Sequence, residues 1–145
     1  MAATETIDVV MPQMGVSVSE GTITKWLKRE GEQIGADEAA QQLEGDDISV
    51  EIVDLRTLIP WDKQAVLASV SKTSKVVVLH EDTLTGGFGG EIAATIAEEA
   101  FEELDAPLKR IAAPDTPVPF SPVLEKAYIP QVEEVVAGIK EVAEY

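Results

Sequence analysis

No cysteine occurs among the 145 residues, which excludes a disulfide framework, thiolate metal sites and a cysteine nucleophile. The chain has one histidine, His80, so a transition-metal site would need an all-carboxylate set, and no EF-hand spacing supplies one. Basic residues are scarce too. Eleven of them face 27 acidic residues, and the net charge of -16 repels nucleic acid and anionic membrane. That charge favours a basic protein partner or, more simply, a solvated acidic surface that keeps the chain in solution. No apolar run approaches the ~20 residues of a membrane span, and the opening MAATETIDVV lacks the charged start and apolar centre of a signal peptide. A soluble, cytoplasmic protein is expected.

The hydrophobic content of 45% is enough for one domain of ordinary size. Thr6–Val10 and Thr22–Lys28 read as strands among the glycines at 15, 21, 31 and 35, and a helix is expected over Ala36–Leu43, with Gly45 as its stop. Ser49–Leu55 reads as a strand, and Asp62 as the N-cap of a helix burying Val66, Leu67 and Val70. Lys75–Glu81 is apolar on both faces, as a central parallel strand should be. The next helix carries an inward stripe of Ile92, Ile96, Ala100 and Leu104. Leu108–Ala112 is a further strand, the prolines at 107, 114, 117, 119 and 122 predict an extended, ordered loop, and a final helix spans Gln131–Ala143. Alternating strands and helices imply right-handed crossovers and a three-layer α/β/α sandwich with a mainly parallel sheet, preceded by a short N-terminal β segment.

LHEDTLTGGFGGEI, from Leu79 to Ile92, holds the candidate chemistry. A dinucleotide fingerprint fails there, because its third glycine position falls on Ile92 and Glu91 stands where a phosphate would want a cation. His80 and Glu81 are neighbours on a strand and point to opposite faces, so they cannot jointly hold one proton. No G-x-S-x-G elbow occurs. TGGFGG therefore reads as a tight turn from strand to helix, with glycines where packing forbids a Cβ. Trp26 and Trp61 read as core or seam residues. A small enzyme using His80 and the glycine turn remains the catalytic alternative.

The markers VEIVDLRTLIPWD (Val50–Asp62), VVVLHEDTLTGGFGGEIAATI (Val76–Ile96), APLKRIAAPDTPVPF (Ala106–Phe120) and LEKAYIP (Leu124–Pro130) occur in order. Together they make the stretch from about Ala39 to Tyr145 resemble the C-terminal, transketolase C-terminal-like domain of the β subunit of thiamine-diphosphate-dependent 2-oxo acid dehydrogenases, the pyruvate or branched-chain enzymes. Residues Thr6 to about Ile34 resemble the first half of a lipoyl domain, with IDVVMPQMGVSVSEGTITKWLKREGEQI fitting its M-P-x-x-G opening. The in-register position of the lipoyl lysine reads Asp46-Asp47, so lipoylation is not expected at Asp47. The organisation expected is a partial lipoyl-like segment over 1–35 and the transketolase C-terminal-like domain over 36–145.

The family's reaction is oxidative decarboxylation of a 2-oxo acid. The resemblance implies an assembly domain that itself holds no thiamine diphosphate, no metal and no catalytic residue, so this chain alone is expected to be inactive, with thiamine diphosphate and lipoate serving the parent complex. The pyrimidine-binding domain and the first strand of the C-terminal domain find no counterpart between the two resemblances. Thr22–Lys28 either replaces that strand or belongs to an N-terminal tail. Implied partners are the α subunit, the basic subunit-binding domain of the acyltransferase, and a second β-type domain in a homodimer. The expected contact residues are His80, Glu81, Gly86, Gly87, Phe88 and Tyr145, with the acidic end at Glu141, Glu144 and Tyr145 as a docking patch. The competing reading is a lipoyl-type carrier or the N-terminal half of the acyltransferase component.

Overall fold

The computed structural model describes residues 35–145, so the expectations for Thr6–Val10, Thr22–Lys28 and Trp26 lie outside the described residues. From Gly35 the elements run α1 (Gly35–Glu44), α2 (Lys63–Thr73), β1 (Val77–Thr83), α3 (Gly89–Glu99), β2 (Lys109–Ala113), α4 (Pro122–Tyr128) and α5 (Val132–Ala143), with a 3-10 turn at Phe101–Glu103. β1 and β2 pair in parallel, Val77 opposite Lys109 and Leu79 opposite Ile111, with an irregularity before Thr83 meets Ala113. A parallel pair needs a crossover, and α3 supplies it.

Strand alternation divides the core in two. On one face Leu79 and Ile111 pack with Ala39 of α1 and Val132 and Val135 of α5. On the other, Val78 and His80 lie against the start of α3. Beyond them Val66 and Val70 of α2 meet Ile96 and Ala100. The result is the expected three-layer α/β/α arrangement, around a two-stranded parallel sheet among the described residues.

Local chemistry fixes the helix ends. Asp62 caps α2 by accepting a hydrogen bond from the Ala65 N–H at 2.9 Å. Ser74 closes it in the left-handed region, its N–H donating to the Val70 carbonyl at 2.8 Å. α5 opens with a capping box of Gln131 and Glu134. It lies close on β2 because Gly138 faces Ile111, whose Cδ1 stands 2.5 Å from where a Cβ would be. An ion pair from Lys140 to Asp46 at 2.6 Å joins α5 to the turn after α1.

Three expectations need correction. Ser49–Leu55 forms no strand. No backbone ladder reaches it among the described residues. Its apolar letters instead serve burial, since Val53 and Leu55 pack on the α2–α3 cluster. The proline-rich loop is extended only to Ser121, and α4 starts at Pro122 because a helix's first position has no use for the missing N–H. The inward stripe outlasts its helix: α3 ends at Glu99, Ala100 turns away at φ -137°, and the 3-10 turn delivers Leu104 to the same core.

Candidate functional site

The turn joining β1 to α3 uses its glycines for two separate reasons. Gly86 has φ +81° and open space around it, so it answers a conformational need. Gly87 and Gly89 answer a steric one. A Cβ on Gly87 would strike the Thr83 carbonyl oxygen and stand 2.7 Å from His80 Cε1, and one on Gly89 would strike the other edge of the same imidazole. The ring of His80 is thus clamped between the two glycines. Glu81, on the opposite side of the strand, is exposed.

Both ring nitrogens of His80 are buried without a hydrogen-bond partner among the described residues. Burial pushes the imidazole below its ordinary pKa of 6.5, Asp82 opposes the shift and Arg110 adds to it. The close packing of the ring against Gly87 and Gly89 gives His80 a part in holding the turn together. The sign of its linkage follows. The unfolded ring takes its proton near pH 6.5 while the folded one resists, so the neutral ring's contribution is whole above that pH and is lost as pH falls below it towards the lowered folded value. Chemical unfolding at stepped pH is expected to show stability declining from about pH 6.5 downward, with the slope flattened in His80→Asn. Asp115 titrates elsewhere. Hydrogen bonds from the Thr85 N–H and hydroxyl depress its carboxyl, burial opposes this slightly, and Arg110 adds to the depression. Its contribution is therefore full above the ordinary value of 3.8 and disappears only at more acid pH.

Beside the turn lies a broad groove of about 670 Å³. One wall is the loop Leu58–Trp61, which contains a cis Ile59–Pro60 peptide, and the other is Gly86–Phe88. Trp61 and Phe88 meet edge to face with ring centroids 6.2 Å apart, which makes Trp61 the seam residue expected of it. Ile59 is 92% exposed and Leu58 55%, so the rim is apolar and uncovered. Glu91 is the groove's one charged lining residue among those described. A diphosphate with its metal does not fit such a lining, and no cluster of three or more His, Asp or Glu able to hold a metal ion occurs among the described residues.

The structure brings part of the expected contact set together. Gly86, Gly87 and Phe88 line the groove, and His80 underlies the turn. Glu81 and Tyr145 do not line it, Tyr145 being exposed after the end of α5. In the acidic patch Glu141 pairs with Lys109, while Glu144 stays exposed. Asp47, in the lysine register, sits at φ 58° in the turn after α1. Sequence reasoning missed Leu58 and Ile59, although apolar neighbours in a loop were the available signal.

No helix among the described residues is long and apolar enough to cross a membrane. Residues 35–135 match the family model described as transketolase, C-terminal domain. Residues 7–55 match the one described as biotin-requiring enzyme. Among curated proteins the chain is 42% identical to the 2-oxoisovalerate dehydrogenase subunit beta of Bacillus subtilis (strain 168), over 82% of this chain and 40% of that protein. It is 40% identical to the mitochondrial pyruvate dehydrogenase E1 component subunit beta-1 of Oryza sativa subsp. japonica, over 82% of this chain and 31% of that one. The acetoin:2,6-dichlorophenolindophenol oxidoreductase subunit beta of Bacillus subtilis (strain 168) is 44% identical over 74% and 32%. The chain thus spans between 31% and 40% of the length of these relatives.

Proposed function

We propose that this chain, which belongs to the transketolase C-terminal domain family, is the subunit-assembly part of a 2-oxo acid dehydrogenase β subunit. The observation that carries this reading is the uncovered apolar groove between Leu58–Trp61 and Gly86–Phe88. Exposed aliphatic side chains beside a glycine-rich turn are what an interface core needs, and an open, largely apolar groove lined by a single carboxylate offers little to hold a charged substrate. The partners proposed are a second β-type domain and the α subunit, and the acidic end at Glu144 and Tyr145 is assigned to the basic subunit-binding domain of the acyltransferase. Decarboxylation of the 2-oxo acid belongs to the assembled component, where thiamine diphosphate and lipoate serve parts other than residues 35–145.

Light scattering on the full chain, alone and mixed with an intact α subunit or the subunit-binding domain, tests the proposal. Self-association or capture by either partner is expected, and a chain that stays monomeric in every mixture overturns it. The purified chain with thiamine diphosphate is expected to show no 2-oxo acid turnover. Turnover abolished by His80→Ala would transfer the function to the glycine turn.

The match of residues 7–55 to the biotin-requiring family favours one second reading, a carrier. Asp47 cannot form the amide that joins lipoate to lysine. Intact mass after treatment with a lipoate ligase is expected to be unchanged, and a gain of one lipoyl group would establish the carrier instead.

A further inference from the structure

A second apolar surface stands away from the core. From Pro117 to Leu124 the chain reads PVPFSPVL, eight residues without a charge in a molecule of net charge -16. Phe120 is fully exposed, Val118 and Val123 are 75% and 79% exposed, and Leu124 is more than half exposed. α4 thus turns Val123 and Leu124 to water, and of its seven residues only Tyr128 is buried. A helix of that length does not hold by its own hydrogen bonds, and the packing its aliphatic residues lack has to come from another surface.

This tongue and the groove share one end of the sheet. At the tongue's root Asp115 accepts from the Thr85 N–H at 2.9 Å and from the Thr85 hydroxyl at 2.7 Å, and the Leu84 N–H donates to the Ala113 carbonyl at 3.0 Å. Gly86, the residue after Thr85, begins one wall of the groove. The tongue does not fill the groove of its own chain, since Phe120 and Ile59 are both left uncovered.

Their chemistry matches. Prolines at 114, 117, 119 and 122 give two P-x-x-P spacings, and Ser121 is extended at φ -86° and ψ 131°. Such segments have preset φ angles and lose little freedom on docking into grooves lined by aromatic rings. Trp61 and Phe88 supply the rings here. Charge narrows the occupant to a second copy of this chain. Two molecules of net charge -16 repel through acidic faces, whereas a neutral tongue against a groove with one carboxylate, Glu91, sets no like charges in opposition. Area agrees. The exposed apolar residues of the tongue, with Leu58 and Ile59 of the rim, offer on the order of 1,000–1,500 Å² over two copies. That reaches the roughly 1,200–2,000 Å² of a specific interface.

We propose that two copies of this chain exchange tongues, each placing Phe120 in the other copy's groove between Leu58–Trp61 and Gly86–Phe88. Because tongue and groove lie at the same end of the sheet, a two-fold axis there makes both docks at once and closes the pair. The inference rests on the reading of the groove as an assembly surface and names its occupant.

Sedimentation equilibrium of the full chain tests the exchange. The parent is expected to be a dimer. Phe120→Asp and Ile59→Asp, each alone, are expected to raise the dimer dissociation constant by about thirtyfold or more, because every dimer then loses both docks. An equimolar mixture of the two is expected to associate at least about tenfold more tightly than either alone, since the Ile59→Asp chain still offers a tongue and the Phe120→Asp chain a groove. Both side chains are exposed, so chemical unfolding of the variants is expected to match the parent. A mixture no tighter than its components, or a Phe120→Asp chain as dimeric as the parent, would overturn the exchange. A chain that is monomeric alone yet captured by the α subunit would overturn it too, while leaving the assembly reading in place.

Discussion

Gly89→Ala is expected to lower the free energy of unfolding by about 1–3 kcal/mol, although alanine is the better helix former. Two effects compete at this position. Alanine would gain at most ~1 kcal/mol of helix propensity, and less in a first turn whose backbone is only partly committed. Against that, its Cβ would collide with the Nε2 edge of His80, and Val78 Cγ1 stands 3.2 Å away behind it. On its other edge the ring lies over Gly87, so a shift away from Gly89 carries it towards the Gly87 backbone. Overpacking therefore wins. The double-mutant cycle supplies the check: once His80→Ala has removed the obstacle, adding Gly89→Ala should be neutral or stabilising, which gives a coupling of about 1–3 kcal/mol in urea unfolding. An equal loss in both backgrounds would mean that the glycine serves something other than the clamp.

Ile96→Ala is expected to cost about 2–5 kcal/mol, the largest single loss among these substitutions. Ile96 is fully buried, at 0% exposure, in a cluster with Val66, Val70 and Ala100, so truncation removes its transfer energy and leaves a cavity that its neighbours close only in part. The same chemical change at Ile59 should behave oppositely. With 92% of its surface already in water, Ile59→Ala should leave folding within about 0.5 kcal/mol of the parent. What it should lose is association: if the groove is an interface, truncating a central aliphatic anchor weakens binding by about 1–2 kcal/mol, or about five- to thirtyfold in Kd. Chemical unfolding measured beside sedimentation equilibrium separates the two isoleucines. An Ile59→Ala chain that associates as tightly as the parent removes the groove from the interface.

How far the sequence carried depended on whether an element's signal was local. Asp62 needed only its own turn to cap α2, and the valines of β1 and of α5 show their periods without reference to anything distant. Burial without a ladder is a non-local fact, which is why Ser49–Leu55 looked like a strand: Val53 and Leu55 alternate as a strand would, but hydrogen bonding depends on a neighbour the letters do not name. α4 was hidden by Pro122, whose meaning reverses between a helix interior and a helix start. At the site, the glycines announced close packing, and the opposed directions of His80 and Glu81 followed from strand geometry alone. That the histidine was the object packed against, and that Leu58 and Ile59 stood across from Phe88, required the chain to be brought together in space.

The contact between α1 and α5 sets which side of the sheet Gly35 occupies. A Cβ on Gly35 would stand 3.9 Å from both the Pro130 carbonyl oxygen and Val132, so the start of α1 lies at the head of the last helix. That point belongs to the α1–α5 layer, whereas Gly86–Phe88 lead into α3 in the layer beyond the sheet. Gly35 therefore stands on one side of the sheet while the groove opens on the other, so a contact made at the groove leaves the head of α1 unobstructed.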